Sequence, residues 1–422
     1  MRDIDVGRRG QLAGQRVLEQ DVQLGSGVRS GTDQPVHHGV TDEGSGQRIG
    51  TLSHIGRGGP PDGTSRTRHR VRIGTSDDLA LETVRSNCDD PDVTKRVHPA
   101  SMASTSTVPT IDISGLFSCD LDERKLVAQA IGRACEDIGF LTVTGHGIHP
   151  GLIREVFGQT RRVFARPTGE KMSYAWDDDH PNRGYDPPAS RRLDSRAAPD
   201  QAAPDQREAW SFSPEHVLSS PHPMQGPNRW PELAGFRTPV IRYHEAIIDL
   251  AARLLGAMAL SLDLPEDAFA PYHRNPICTL RLLHHPPRSD RATDRDFGAG
   301  AHSDWGALTI LAQDDVGSLE VLDRRGTWIE VPPRDDAFVV NVGDLLALWT
   351  NDRYTSTMHR VHGVTDRDRY SVACFFDLDP EARIECLPTC ATPTRPPIYA
   401  PMTAGDHLLE RYRASLGVAS AA

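Results

Sequence analysis

Two histidines and one aspartate in the C-terminal half of the chain have the types and spacing of a metal site. His302 and Asp304 stand two residues apart in FGAGAHSDWGALTIL, and His359 follows in NDRYTSTMHRVHG. In an extended segment, residues two apart project to the same face, so this imidazole and this carboxylate can converge on one point. Two imidazoles and one carboxylate form a facial triad that suits Fe(II) and leaves coordination positions open. A His-x-Asp pair alone is a weak signal, and the alternative interpretation is a surface turn.

A second pair of polar residues indicates what binds beside such a metal. Arg369 and Ser371 alternate in the apolar segment RYSVACFF, so on a strand they share a face. A guanidinium with a neighbouring hydroxyl is a strong receptor for a carboxylate. The alternative for Arg369 is a surface salt bridge, which the apolar residues VACFF make less favoured. A metal triad next to a carboxylate receptor predicts a 2-oxo acid, chelated at one end and held at the other.

The elements that must position these residues change in character along the chain. Beyond residue 276 the hydrophobic period is two, and we predict strands in ICTLRLLHH, ALTILAQ, SLEVLD, TWIEVPP, AFVVNV, LLALWT and RYSVACFF. Short strands at this spacing indicate a β-sandwich or jelly roll. Ahead of them, apolar residues at helical spacing predict helices over 122–138, 150–165 and 236–261, with a strand in FLTVTGHG. The predicted class is therefore α+β.

The first hundred residues have a different composition. Residues 1–101 contain no Phe, Trp or Tyr and are rich in Gly, Ser, Asp and Arg, so they cannot bury enough apolar area to offset chain entropy. We predict a disordered extension, or a segment that is not translated because Met102 is the true start. Residues 186–207 are polar and contain several prolines, which predicts a mobile loop.

Composition and charge exclude several classes of function. The formal charge is -11 over 422 residues, which argues against general nucleic-acid binding. The sequence contains no apolar run long enough to span a bilayer and no secretory h-region at the N-terminus. Seven cysteines without a CxxC motif predict a reducing compartment, with neither a disulfide framework nor a zinc knuckle. We expect a cytoplasmic monomer that acts on a small molecule, with no nucleic-acid or membrane partner.

Several motifs together resemble the isopenicillin-N-synthase-like family of Fe(II)/2-oxoglutarate-dependent oxygenases. They are HSDWGALTIL, GSLEVLDRRGTWIEVPP, FVVNVGDLLALWTNDRYTSTMHRV and RYSVACFF, with VPTIDISGL, ACEDIGFLTVTGHGI, NRW-P and LRLLHHPP upstream. The resemblance covers nearly all of 108–415 and none of 1–101. It implies a double-stranded β-helix (jelly-roll) core flanked by helices. It also implies a helix-rich N-terminal part over 102–265 and an oxygenase core with a C-terminal helix over 266–422.

The resemblance assigns roles to the residues already singled out. It implies that His302, Asp304 and His359 bind iron, and that Arg369 and Ser371 bind the distal carboxylate of 2-oxoglutarate. Family members often carry a tyrosine where this chain has His285, whose imidazole can also donate a hydrogen bond to that carboxylate. No catalytic residue is expected beyond the metal ligands, with Fe(II), 2-oxoglutarate and O2 as the cofactor and co-substrates.

Other residues have a functional and a structural interpretation. Strand alternation directs only one of His284 and His285 inward, towards a ligand. Arg183, Tyr185 and Glu208 match positions that often line the substrate pocket in this family, and their alternative is loop or helix-cap chemistry. His362 and Cys374 are expected to be structural. The amphipathic segment TAGDHLLERYRASLG is expected to form a C-terminal helix that packs on the barrel or caps the pocket.

The predicted function is an Fe(II)- and 2-oxoglutarate-dependent dioxygenase that hydroxylates a small organic metabolite and releases succinate and CO2. Metabolic roles of this kind include antibiotic biosynthesis. Three alternatives stay open on the sequence. They are an iron-dependent oxidase that uses no 2-oxoglutarate, an enzyme that converts 2-oxoglutarate to ethylene and succinate, and a metal-binding β-barrel without catalysis.

Overall fold

Strands from both halves of the chain combine into one large and one small sheet. The computed structural model describes residues 107–177, 182–191, 193, 205–215, 222–287, 297–362 and 366–415. Its strands are β1 Thr110–Asp112, β2 Phe140–Thr144, β3 Gly184–Asp186, β4 Glu208–Phe212, β5 Cys278–His285, β6 Ala299–His302, β7 Leu308–Gln313, β8 Leu319–Leu322, β9 Trp328–Glu330, β10 Phe338–Val342, β11 His359–Val361, β12 Arg369–Phe376, β13 Arg383–Ile384 and β14 Met402–Thr403. Six of the seven strands predicted beyond residue 276 are confirmed.

The strand order defines two layers. The major sheet has the order β1-β2-β10-β7-β12-β5-β4-β3, the minor sheet has the order β6-β11-β8-β9, and β13 pairs with β14. A cavity lies between the layers, because residues of β5, β7 and β12 line it together with residues of β6 and β11. This arrangement confirms the predicted jelly-roll core.

The chain contributes six α-helices to the described structure, and two of them pack on the major sheet. The six helices are α1 Leu121–Asp137, α2 Pro150–Phe164, α3 Thr168–Met172, α4 Arg237–Ser261, α5 Asp344–Trp349 and α6 Ala404–Ser415, with short 3-10 turns at Ser114–Phe117, Ala270–Tyr272 and Pro388–Cys390. Helices α2 and α4 pack on strands β5, β7 and β12 of the major sheet. The helices predicted over 122–138, 150–165 and 236–261 are confirmed within one residue as α1, α2 and α4, and the predicted C-terminal helix is α6. The Asp120 side chain accepts the Asp122 N–H to cap α1, and His149 caps α2 by accepting from Gly151 N.

The segment LLALWT forms α5, and the strand predicted there is wrong. Leu345, Leu346 and Trp349 are all buried, with Leu345 and Trp349 four residues apart on one helical face. A short run of consecutive apolar residues has no periodicity that could separate a buried strand from a buried helix. Whether this segment forms a strand or a helix is therefore determined by its tertiary contacts.

Some predictions fall on residues outside those described. The extension 1–101 lies outside them entirely, and 186–207 is described only at its two ends and at residue 193. The domain boundary at 265 stays a prediction. In the described part of the chain, no helix has both the length and the apolar character that a membrane span requires. Among the described cysteines, free thiols are present at Cys135, Cys278, Cys374, Cys386 and Cys390.

Candidate functional site

The three predicted metal ligands converge at the inner face of the minor sheet. His302 ends β6, and its cross-strand partner in β11 is His359, so strand pairing alone brings the two imidazoles together. Asp304 follows two residues after β6, and its Oδ1 lies 3.8 Å from His302 Nε2 and 3.7 Å from His359 Nε2. One ligand atom from each residue lies within 4.8 Å of the other two.

Neighbouring groups orient each of these side chains for coordination. His302 Nδ1 lies 2.7 Å from the Gly300 carbonyl and His359 Nδ1 lies 3.2 Å from the Thr357 carbonyl. Because a carbonyl only accepts, each Nδ1 carries the proton and each Nε2 presents its lone pair. Such outer partners fix the tautomer of a metal-binding histidine.

The two carboxylate oxygens of Asp304 have different roles. Its Oδ2 accepts hydrogen bonds from Thr309 Oγ1 (2.6 Å) in β7 and from Asn341 Nδ2 (2.7 Å) in β10, which leaves Oδ1 for a metal. Two imidazole nitrogens and one carboxylate oxygen therefore fit Fe(II). Thr309 and Asn341 were not predicted as site residues, although each is a polar residue with apolar neighbours on both sides in its strand, a signal that could have identified it.

The protonation states of the ligands agree with this fit. Burial, with a further contribution from His359, lowers the pKa of His302 to about 3, so its imidazole is neutral at physiological pH. Burial alone would raise the pKa of Asp304, but His359, His302 and the two hydrogen bonds outweigh that effect and hold it below its ordinary value. Asp304 is therefore a carboxylate and His302 a neutral imidazole at physiological pH.

Arg369 is buried in the same cavity and has neutral hydrogen-bond partners. Its guanidinium donates to Gly317 O (2.5 Å), Gln313 Oε1 (3.0 Å) and Ser371 Oγ (3.2 Å). Burial lowers the pKa of Arg369 to about 10, which still leaves it cationic at neutral pH. A buried cation held by a carbonyl, an amide and a hydroxyl attracts an anion, so the surface salt bridge considered for Arg369 is excluded.

His285 rather than His284 faces the cavity. It pairs across the strands with Arg369, and its Nδ1 is buried without a hydrogen-bond partner. A Cβ at Gly298 would lie 2.6 Å from that nitrogen, so the glycine allows the ring to sit there. Burial, then Arg369 and Arg207, holds the pKa of His285 well below its ordinary value, so the ring is neutral.

Glu208 and Tyr185 belong to a buried network on the opposite face of the sheet. Glu208 accepts from Lys171 Nζ (2.6 Å) and from the Tyr185 hydroxyl (2.5 Å), and its Oε1 lies 2.7 Å from His284 Nδ1. The Arg183 guanidinium donates to the Pro223 carbonyl. Among the described residues that line the cavity, none is Arg183, Tyr185 or Glu208, so their assignment to the substrate pocket is wrong. The strand face to which each belongs could not be read without knowing the sheet order.

We expect that replacing Lys171 by methionine destabilises the fold without changing the cavity. The Lys171 and Glu208 side chains are only 5% and 8% exposed, and removing one partner of a buried ion pair costs about 3–5 kcal/mol because the other charge stays buried. Urea unfolding of the variant measures the change in the free energy of unfolding. The exposed Lys125→Met is the matched control. A loss below about 1 kcal/mol would show that the pair is solvated.

Other side chains line the cavity instead. They are contributed by the segments before β3 and β4, by the segment between β4 and α4, by β5, and by the loop after β6: Asn182, Arg207, Met224, Arg281 and Trp305. Helix α6 closes one side through Leu408. The Tyr412 hydroxyl accepts from Asn182 N (3.1 Å), and His407 Nε2 lies 3.1 Å from the Trp305 carbonyl, which ties α6 to both walls. The C-terminal helix therefore caps the pocket.

A second group of potential ligands lies in the core beneath α4. Cys278 Sγ is 3.3 Å from His244 Nε2 and 3.5 Å from Cys374 Sγ, and all three residues are buried. Cys278 and Cys374 point to the face of β5 and β12 that is opposite the cavity. The expected structural position of Cys374 is confirmed.

Comparisons with known proteins agree with this geometry. Residues 108–233 match the family described as non-haem dioxygenase in morphine synthesis N-terminal, and residues 276–378 match the 2OG-Fe(II) oxygenase superfamily. The chain is 35% identical over 333 residues to the 2-oxoglutarate-Fe(II) type oxidoreductase hxnY of Emericella nidulans, covering 76% of this chain and 93% of that protein. It is 37% identical over 304 residues to the 2-oxoglutarate-dependent dioxygenase citB of Monascus ruber, covering 68% and 90%.

Solved structures give the same result. A full-length Neurospora crassa protein in complex with alpha-KG and thymine superposes with a TM-score of 0.66 at 29% identity, covering 73% of this chain and 96% of that chain. JOX2 in complex with 2OG, Fe and JA superposes with a TM-score of 0.62 at 28% identity, covering 75% and 88%.

Proposed function

This chain belongs to the superfamily of 2-oxoglutarate- and Fe(II)-dependent oxygenases, and on that premise we propose how its residues carry out the reaction. It is an oxidoreductase of small metabolites that uses Fe(II), 2-oxoglutarate and O2. We propose that the oxidation is a hydroxylation, with release of succinate and CO2. His302, Asp304 and His359 would hold the iron.

The convergence of these three side chains around one point is the observation that carries the proposal. Their ligand atoms lie within 4.8 Å of one another, and each nitrogen or oxygen that faces that point is left free by the hydrogen bonds on the far side of its group. When bound, iron with the keto acid would supply the activation of O2, a step that the protein side chains cannot perform.

The chain's own residues bind the keto acid and exclude water. The buried guanidinium of Arg369 would neutralise the distal carboxylate of 2-oxoglutarate, with the Ser371 hydroxyl beside it as a second hydrogen-bond partner. The apolar side chains of Phe140, Leu311 and Val361 line the same cavity, so they keep bulk water from the reacting groups.

Succinate formation by the purified chain tests the proposed function. We expect succinate to appear only when Fe(II), 2-oxoglutarate and O2 are all present, and to increase with an accepted substrate. Oxidation of a substrate without 2-oxoglutarate would favour the oxidase alternative, and ethylene release would favour the enzyme that converts 2-oxoglutarate to ethylene and succinate. Fe(II) binding without consumption of 2-oxoglutarate under any condition would leave only the non-catalytic barrel.

His285 is proposed to donate a hydrogen bond to the keto acid in place of the tyrosine of its relatives. We expect His285→Leu to raise the KM for 2-oxoglutarate about 2- to 12-fold, because it removes one hydrogen bond worth about 0.5–1.5 kcal/mol. His285→Gln keeps a donor and should retain most of the affinity. If the two variants had equal KM values, the imidazole would have no part in keto-acid binding.

We also propose that the protein is a cytoplasmic monomer without a nucleic-acid or membrane partner. The net charge of -11 and the free thiols of Cys135, Cys278, Cys374, Cys386 and Cys390 support this proposal. Light scattering of the purified chain and fractionation of the source cells are the measurements that decide it.

A further inference from the structure

The cavity contains a second guanidinium, separate from that of Arg369. Residues 279, 281, 283 and 285 of β5 all line the cavity. His285 pairs with Arg369 in β12, whereas Arg281 pairs with Ala373. At roughly 3.3 Å per residue, the backbones of Arg281 and His285 are about 13 Å apart along the strand. The proposed keto-acid anchor and Arg281 therefore occupy different parts of the pocket.

Two cations share one carboxylate at this second position. Asp186 Oδ2 accepts hydrogen bonds from both Arg281 Nη2 and Arg191 Nε, the latter at 2.6 Å. Asp186 Oδ1 accepts from Ser190 Oγ (2.5 Å) and Trp176 Nε1 (3.1 Å). Both oxygens of the Asp186 carboxylate therefore accept two hydrogen bonds each. Its single negative charge offsets only one of the two positive charges of Arg281 and Arg191.

The hydrogen bonding of these guanidinium groups is incomplete. Arg281 is 7% exposed and lines the cavity, but its Nε is buried without a partner, as is Nη1 of Arg191. A buried cation with an unsatisfied donor is unfavourable, since it has lost hydration without a full replacement. Burial, and then repulsion from Arg191, lowers the pKa of Arg281 to about 9. An anion bound in the cavity beside Arg281 would supply the missing negative charge.

The other charged groups of this part of the cavity do not balance the excess. Arg207 Nη2 pairs with Asp205 Oδ2 at 3.5 Å, so these two charges offset each other. Asp377 also lines the cavity, but burial raises its pKa to about 8, so it is mostly protonated at neutral pH. One positive charge is left over among the described residues.

The remaining walls define the rest of the ligand. Met224, Trp305, Phe375 and Leu408 present apolar surface to the same cavity. We infer that the substrate is a small organic acid with a largely apolar body, whose carboxylate is bound by Arg281. A single excess positive charge fits a monoanion, and a planar guanidinium matches a carboxylate. This inference rests on the proposed function, because it concerns the substrate of the same site.

Matched acids and amides test the inference. The probes are hexanoate, benzoate and phenylacetate, each compared with its primary amide of nearly the same shape. Calorimetric titration is carried out anaerobically on the full chain loaded with Fe(II) and saturating 2-oxoglutarate, so that Arg369 is already occupied. For the acid that binds best, we expect the Kd to be at least about tenfold lower than that of its amide.

Variants assign that preference to Arg281. Arg281→Met should abolish the preference for the acid while the KM for 2-oxoglutarate stays unchanged, and Arg281→Lys should restore part of it. The control is Arg383→Met, whose side chain is 69% exposed. If Arg281→Met fails to fold, Arg281→Lys and the wild-type acid-to-amide ratio still decide the question.

The outcomes separate this inference from the proposed function. If succinate forms but acids and amides bind equally, the inference is overturned and the proposed function stands. The same conclusion follows if both Arg281→Lys and Arg281→Met keep the full preference for the acid over its amide. If no 2-oxoglutarate is consumed, the proposed function falls, and the calorimetric ratio still reports whether Arg281 binds an acid.

Discussion

Replacing His302 by alanine abolishes 2-oxoglutarate turnover and lowers the affinity for Fe(II) by more than about 100-fold. Loss of an outer hydrogen-bond partner of a metal ligand already costs roughly 10- to 100-fold in metal affinity, so loss of a ligand should cost more. The remaining imidazole of His359 and carboxylate of Asp304 cannot complete the triad. The fold should persist, because His302 lies at the cavity surface and contributes no apolar side chain to the core.

Two measurements on this variant are needed. Metal analysis after Fe(II) loading gives the stoichiometry, and anaerobic titration gives the affinity. His362→Ala is the matched control, since His362 lies three residues after His359 and its ring contacts Phe297 instead of the triad. A His302→Ala protein that retained one tightly bound iron would contradict the assignment of the ligands.

Replacing Arg369 by methionine raises the KM for 2-oxoglutarate by about 10- to 150-fold. Hydrogen bonds to a charged group are worth about 1.5–3 kcal/mol, and each interval of about 1.4 kcal/mol corresponds to a factor of ten. Arg369→Lys should recover only part of the loss, because an ammonium group cannot form two parallel hydrogen bonds with a carboxylate. Fe(II) affinity in the absence of the keto acid should not change.

Arg367, on the same segment as Arg369, provides the matched control. Arg367 lies two residues earlier, is 54% exposed and pairs with Asp315 at the surface. Arg367→Ala should therefore leave the KM within about twofold of the wild-type value, as is usual for surface pairs. Equal KM values for the Arg369 and Arg367 variants would mean that the keto acid is anchored elsewhere.

The sequence predicts the site to the extent that alternation within a strand determines it. Arg369 and Ser371 are two residues apart in β12 and both line the cavity, as alternation predicts. Asp304 also lies two residues after His302, but it reaches the same point from the segment after β6. The pairing of β6 with β11, which aligns His302 with His359, depends on contacts between distant segments. It became predictable only through the resemblance to a family.

Features that depend on sheet order could not be predicted. Alternation showed that His284 and His285 face opposite ways, but which of them faces the cavity depends on the layer that packs against β5. The same limit applies to Arg281, which reads as an ordinary charge in LRLLHH until β3 places Asp186 against it. Glu208 was misplaced because its strand is buried on both faces, so burial alone did not identify its face.

The hydrogen bonds of Asp304 have a mechanical consequence. The two imidazoles belong to the minor sheet, whereas the donors that fix Asp304 belong to β7 and β10 of the major sheet. An ion coordinated by all three side chains would cross-link the two layers at their inner faces. Loading with Fe(II) should then slow amide hydrogen exchange in β6 and β11. The metal would therefore stabilise the packing of the two sheets in addition to its part in the reaction.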